Sequence, residues 1–231
     1  MGSQPIVELS EVTKKYQQGR VTVTAVDHFS LTIDKGEFAV LCGPSGSGKT
    51  TLLNIIGGLD EPSSGTVMLE GHNLAQLSRT KLSRLRRDRI GFVFQAYNLV
   101  PVLTAYENTE FVLALKNVAD KTRHNIVMDI LEDVGLKGLE HRRPDELSGG
   151  QQQRVAIARA IAPEPAIVLA DEPTANVDSA TADALLDLME HLNRDKGITF
   201  LFSTHDQRVI DRARRIIRLQ DGKLISDEVR D

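Results

Sequence analysis

The residues Gly43-Pro44-Ser45-Gly46-Ser47-Gly48-Lys49-Thr50 have the spacing G-x-x-x-x-G-K-[ST]. Glycines at these intervals let backbone N–H groups turn inward around an anion without side-chain clash. A helix beginning near Lys49 would aim its positive end at the same anion. Lys49 is expected to reach the outer phosphates of a nucleotide, and the Thr50 hydroxyl to ligate Mg²⁺, with Thr51 next along the helix. The alternative is an ordinary Gly-Ser loop. A buried strand before the segment and a helical pattern after it favour the phosphate loop.

A second constellation is Asp171-Glu172, which ends the apolar run Ala166-Ile167-Val168-Leu169-Ala170. An apolar strand that delivers two acids at its C-terminal end sets them at the ligand edge of a parallel sheet. Asp171 is then placed to hold the metal, and Glu172 to orient and activate an attacking water. Taken alone, the pair could equally cap a helix starting after Pro173. Beside a phosphate loop the catalytic reading takes precedence. A third segment, Leu147-Ser148-Gly149-Gly150-Gln151, opens a helical run from Gln152 to Ala160. Two glycines and a serine hydroxyl at a helix N-terminus make a further anion-binding device; the plain alternative is a Ser-Gly helix entry without a ligand.

These groups need a scaffold of strands that end on one edge. Phe38-Ala39-Val40-Leu41-Cys42 is a continuous apolar run between Gly36 and Gly43, the pattern of a strand buried on both faces. Ile6 to Leu9, Val21 to Val26 and Phe29 to Ile33 read as strands, as do Thr66 to Leu69, Ile90 to Phe94, Ala166 to Ala170 and Ile198 to Ser203. A helix is predicted over Lys49 to Ile56, stopped by Gly57-Gly58. A long helical interval, roughly Ala105 to Ala162, is interrupted at Gly135, Gly138 and Pro144. Strands alternating with helices imply a parallel α/β sheet, and the strandless interval reads as an inserted helical subdomain.

With Leu147-Ser148-Gly149-Gly150-Gln151 beside the phosphate loop, the chain resembles the ABC ATPase family, whose signature is LSGGQ. The resemblance covers nearly the whole chain. It implies a P-loop NTPase (RecA-like) α/β core with an N-terminal antiparallel β subdomain and an inserted α-helical subdomain. The core with its β subdomain would occupy 1–95 and 163–231, and the helical subdomain about 96–162. It implies ATP and Mg²⁺ as ligands, and a head-to-tail homodimer. In that dimer Ser148, Gly149, Gly150 and Gln151 of one copy close over the ATP on the other copy's phosphate loop. Tyr16, in Lys14-Lys15-Tyr16, matches the aromatic that stacks on adenine; a surface tyrosine at a strand end is the alternative. Gln95 falls at the Q-loop glutamine, which touches Mg²⁺ or the lytic water and links the core to the helical subdomain. Asp178 matches the D-loop that faces the opposite copy. His205 matches the switch histidine that contacts the γ-phosphate. Val177 stands where the family has leucine, a conservative change. No catalytic position is substituted, so an active ATPase is expected.

Several stretches are similar to the LolD/MacB/FtsE group: Gly57-Gly58-Leu59-Asp60-Glu61-Pro62, Arg89-Ile90-Gly91-Phe92-Val93-Phe94-Gln95, Thr104-Ala105-Tyr106-Glu107-Asn108 and Arg143-Pro144-Asp145-Glu146-Leu147. The resemblance implies a separate integral-membrane permease partner, for lipoprotein release, efflux or mechanotransmission. It also implies a cytoplasmic location, peripheral on the inner face of the cell membrane. The competing classes are an ABC machine acting on a non-membrane partner, such as the ribosome or the cell-division machinery, and a regulatory module with little turnover.

Bulk properties agree with this reading. The 231 residues are 41% hydrophobic and 26% charged, enough for one large domain with a real core. Aromatics are 4% and Trp is absent, so the core must be mostly aliphatic. A net charge of −4 argues against a constitutive nucleic-acid binder, and none is expected as a partner. The single cysteine, Cys42, allows no internal disulfide and fits the cytosol. Met1 to Pro5 show no secretory pattern, and no apolar run approaches the roughly 20 residues of a membrane span. The basic stretch Arg79 to Arg89 reads as a solvated helix face, or as a face near anionic lipid or a permease.

Overall fold

In a computed structural model that describes residues 5–230, the apolar run ahead of the phosphate loop is a strand buried at every position. In chain order the first elements are β1 (Pro5–Gln18), β2 (Val21–Asp34), β3 (Phe38–Cys42), α1 (Lys49–Ile56), β4 (Ser64–Leu69) and β5 (His72–Asn73). There follow α2 (Arg79–Arg89), β6 (Ile90–Phe94), α3 (Ala105–Leu115), α4 (Asp120–Asp133) and α5 (Gly149–Ile161). The last are β7 (Ile167–Asp171), α6 (Ser179–Lys196), β8 (Thr199–Thr204), α7 (Gln207–Arg212), β9 (Arg215–Gln220) and β10 (Lys223–Val229).

A six-stranded sheet has the order β10-β9-β3-β8-β7-β6, with β10 antiparallel and the other five strands parallel. Its strands alternate between two cores, as a pleat of period two requires. Phe38, Val40, Phe200, Phe202, Val168 and Ala170 face the helices α5 and α6. Ala39, Leu41, Leu201, Ile167 and Leu169 face α1 and the second sheet. That sheet, β2-β1-β4-β5, is antiparallel throughout. The few aromatics concentrate in the first core, where Phe38 packs against Phe202 with ring centroids 4.7 Å apart and planes tilted by 56°.

Several sequence expectations need correction. Val21 to Val26 and Phe29 to Ile33 are one strand, not two. The register shifts where β1 and β2 pair, and Glu11 (φ 50) and His28 (φ 48) take left-handed backbone at the irregularities. The helical interval is three helices. It breaks at Asn117 (φ 57), at Gly135 (φ 74) and at the short 3₁₀ turn Pro144–Glu146. Residues 105–161 hold no strand, and α3 packs on both α4 and α5. No helix starts directly after Pro173; α6 begins at Ser179, capped by the Asp178 side chain. Asp171 and Glu172 therefore cap nothing.

Candidate active site

The C-terminal ends of β3, β6, β7 and β8 lie side by side, and each hands over one functional segment. Pro44 to Thr51, Gln95, Glu172 and His205 line one cleft of about 620 Å³, together with Ala25 and Ala175. Close packing beneath the phosphate loop explains two of its glycines. A Cβ on Gly43 would lie 2.1 Å from the Leu219 carbonyl oxygen. On Gly48, whose φ is +102°, it would lie 2.3 Å from the Ala25 carbonyl oxygen. The turn between β9 and β10 completes this floor, since the Gly222 amide donates to the Ser47 carbonyl at 3.1 Å. Neither strand had been read from the sequence. Arg215, Arg218 and Gln220 break the apolar run of β9, and β10 is almost wholly exposed.

Lys49 is buried to 8% exposure, and its ammonium donates to the carbonyls of Gly43 (2.8 Å) and Pro44 (2.9 Å). It thus stands inside the curl of the loop, where an anion would meet it. The Ser47 hydroxyl is buried there without a hydrogen-bond partner. Thr50 donates its hydroxyl to Asp171, 3.1 Å from both carboxylate oxygens. This all-oxygen pair suits a small hard cation that takes its remaining ligands from water and phosphate, so the residues fit Mg²⁺.

Glu172 has left-handed backbone (φ 46), which costs a non-glycine residue about 1–3 kcal/mol and survives only where the surroundings enforce it. Its amide donates to the Ser203 carbonyl at 2.9 Å. Its carboxylate accepts from the Thr204 hydroxyl at 2.8 Å and contacts His205 Nδ1 at 2.7 Å. A carboxylate can only accept, so Nδ1 carries a proton in this contact, on a ring that is otherwise exposed. The His205 loop is itself fixed by Asp206, which caps α7 and accepts from the Thr174 hydroxyl at 3.0 Å. The Arg208 guanidinium beside it holds the Asp206 carboxyl below the usual carboxylate range.

The remaining expected residues stand apart from this cleft. Ser148 caps α5 in a reciprocal box with Gln151: its hydroxyl accepts from the Gln151 amide, and the Gln151 side chain accepts from the Ser148 amide. Gly150 is pressed against α6, where a Cβ would meet the Thr181 methyl at 2.3 Å. Asp178 spends both carboxylate oxygens on Thr181. Tyr16, on β1, donates its hydroxyl to Asp60 at 2.7 Å, and the Lys14 ammonium sits 4.9 Å from its ring centre. Burial, and then the bond to Asp60, push the Tyr16 phenol up.

Three supporting residues were not read from the sequence. The Gln153 side chain donates to the Pro173 carbonyl at 2.6 Å, tying α5 to the chain just after Glu172. Arg159, on α5, is desolvated enough to push its guanidinium down. It donates to the carbonyls of Tyr97 (2.9 Å) and Asn98 (2.5 Å). Asn176 bonds with Gln95 and Tyr97. The helical pattern places Gln153 and Arg159 on α5 but gives no sign of their partners.

Comparison with known proteins agrees with this geometry. The description of the ABC transporter family matches residues 26–175. The chain is 48% identical over 224 residues to the lipoprotein-releasing system ATP-binding protein LolD of Anaeromyxobacter dehalogenans, covering 96% of this chain and 94% of that one. It is 44% identical over 223 residues to the macrolide export ATP-binding/permease protein MacB of Hyphomonas neptunium. That match takes 96% of this chain but only 34% of the longer protein. Among solved structures it is similar to the dimeric post-hydrolysis state of the ATP-binding cassette MJ0796 bound to ADP and Pi. The TM-score is 0.89 and the identity 43%, over 96% of this chain and 98% of that one; MJ0796 comes from Methanocaldococcus jannaschii.

Proposed function

Because this chain belongs to the ABC transporter family as an ATP-binding cassette with ATPase activity, we propose that two copies pair head to tail around ATP and Mg²⁺ and drive a separate membrane permease. The observation that carries the catalytic half is the carboxylate of Glu172, held between Thr204 and His205 in the cleft that the phosphate loop lines.

In this reading the backbone N–H groups of the loop and the Lys49 ammonium bind the phosphates. Tyr16 stacks on the adenine. Thr50 and Asp171 hold Mg²⁺, with Gln95 reaching toward it. The bound metal would neutralise charge on the outer phosphates. Glu172 accepts a proton from the attacking water, and His205 donates to the γ-phosphate through Nε2–H when both ring nitrogens carry protons. Ser148 to Gln151 of the second copy close the site from the other side, with Asp178 at the shared face. Closure then depends on contacts made only with ATP present, and loss of the γ-phosphate releases it.

For the membrane half, no helix among the described residues is long and apolar enough to cross a bilayer. In this reading a permease supplies the spans and holds the chain on the inner face of the membrane. A groove of about 400 Å³ between α2, β6, α3 and α5 suits such a partner. Phe92, Phe94, Val112, the half-exposed Phe111 and Leu115, and Arg87 on its rim all line it. Residues about 96–162 would move as a unit and carry the groove's motion to Gln95. The test is to purify Glu172→Gln protein from native membranes with ATP and Mg²⁺ and identify what accompanies it. An integral-membrane permease is expected; a ribosome or only non-membrane partners would overturn the transport half.

A further inference from the structure

Three segments that the sequence reading treated separately meet at one asparagine. The Asn176 side-chain amide donates to the Gln95 backbone carbonyl at 2.9 Å, and its oxygen faces the Gln95 side-chain amide at 3.4 Å. The Asn176 carbonyl accepts the Tyr97 hydroxyl at 3.1 Å. That hydroxyl also fills the space beside the start of α5, since a Cβ on Gly149 would lie 2.9 Å from it. Tyr97 (φ 57) and Asn98 (φ 51) are consecutive left-handed residues, a conformation non-glycine chains avoid. Arg159 clamps both carbonyls from α5. The segment leaving β6 is therefore over-determined, gripped by the helix on one side and by the loop after Glu172 on the other.

We propose that Asn176 is a positioning residue for Gln95, assisted by the Tyr97 hydroxyl. By anchoring the Gln95 main chain, it fixes the base from which that side chain swings into the cleft. The short backbone bond does the anchoring. The 3.4 Å side-chain contact is long enough to release when Gln95 turns toward the nucleotide. Any shift of the Ala175–Asp178 loop, which leads into the N-terminus of α6, then moves Gln95 with it. The proposal rests on the reading of Gln95 as a group that reaches the reacting phosphate.

The experiment measures steady-state ATP hydrolysis and unfolding midpoints for Asn176→Ala, Asn176→Asp, Tyr97→Phe, Gln95→Ala and the Asn176→Ala/Gln95→Ala double variant. Losing the anchoring bond should lower kcat about three- to tenfold in both Asn176 variants, at nearly constant KM. Aspartate belongs with alanine here because it keeps an acceptor for the Gln95 side chain but sets a negative oxygen against the Gln95 carbonyl. Tyr97→Phe should lower kcat about threefold, by the loss of one weaker hydrogen bond. Unfolding midpoints should fall by only about 2–4 °C, the cost of one hydrogen bond in a chain of this length. In the Gln95→Ala background, Asn176→Ala should add nothing, since both act through one side chain. Gln95→Ala with parent kcat would remove the reading beneath the proposal, and the proposal with it. Loss of kcat in Gln95→Ala but not in the Asn176 variants would overturn the proposal alone. So would an Asn176→Ala effect that persists in the Gln95→Ala background.

Discussion

Glu172→Gln binds ATP as tightly as the parent chain and hydrolyses it on the order of a hundred- to ten-thousandfold more slowly, the range that a positioned general base supplies. Glutamine keeps the length and branching of the side chain, and its oxygen can still accept from the Thr204 hydroxyl that now bonds Glu172. It cannot take a proton from water. It also sets an amide where His205 Nδ1 now meets a carboxylate oxygen at 2.7 Å, so the histidine loses the partner that fixes its tautomer. Neither loss touches the phosphate loop, where Lys49 and the backbone amides are proposed to bind the phosphates. Equilibrium ATP binding and single-turnover phosphate release, measured on one preparation, separate the two effects. Release within a few-fold of the parent would mean that another group activates the water.

Lys49→Met weakens ATP binding by about thirtyfold or more, because truncating a buried, hydrogen-bonded charge at a binding site costs about 2–5 kcal/mol or more. Methionine preserves most of the apolar stem that leaves Lys49 only 8% exposed, so the packing of α1 survives. The ammonium's bonds to the Gly43 and Pro44 carbonyls are lost. Those carbonyls sit on an otherwise exposed loop, so the cost to folding stays near 1 kcal/mol per bond. Calorimetric titration with ATP checks the first figure, and denaturant unfolding the second. A variant with parent affinity would make Lys49 a strut of the loop rather than a phosphate ligand.

The two predictions rest on features of differing visibility in the sequence. Phe38–Cys42, Lys49–Ile56 and Ile90–Phe94 have the bounds read from the sequence: glycines punctuate the first two, and the third is an apolar run between Arg89 and Gln95. Glu172 and His205 were placed at strand ends, and parallel pairing of β7 with β8 brings those ends together. The antiparallel sheet was harder to read. In β1 and β2 the alternation is broken by register shifts, so each reads shorter or more divided than it is. Tertiary bonds left no local trace at all. Arg159 looks like any arginine of an amphipathic helix, and the left-handed backbone it supports at Tyr97 and Asn98 lies at residues with no glycine to announce it. Ser148 and Gln151 read as an anion-binding entry, whereas in the single chain they cap each other. A helix entry capped in this way is already satisfied. Its proposed work on a second copy's nucleotide requires contacts that the single chain does not contain.

The most direct test of the account is the mass of the Glu172→Gln protein in solution by sedimentation equilibrium, with and without ATP and Mg²⁺, alongside the Glu172→Gln/Ser148→Arg double variant. The account predicts a monomer without nucleotide and a dimer with it. It also predicts that the double variant stays monomeric while still binding ATP, because the arginine blocks the segment that closes on the other copy's site. A double variant that dimerises as readily as Glu172→Gln, or a Glu172→Gln chain that stays monomeric when saturated with ATP, would contradict the head-to-tail arrangement.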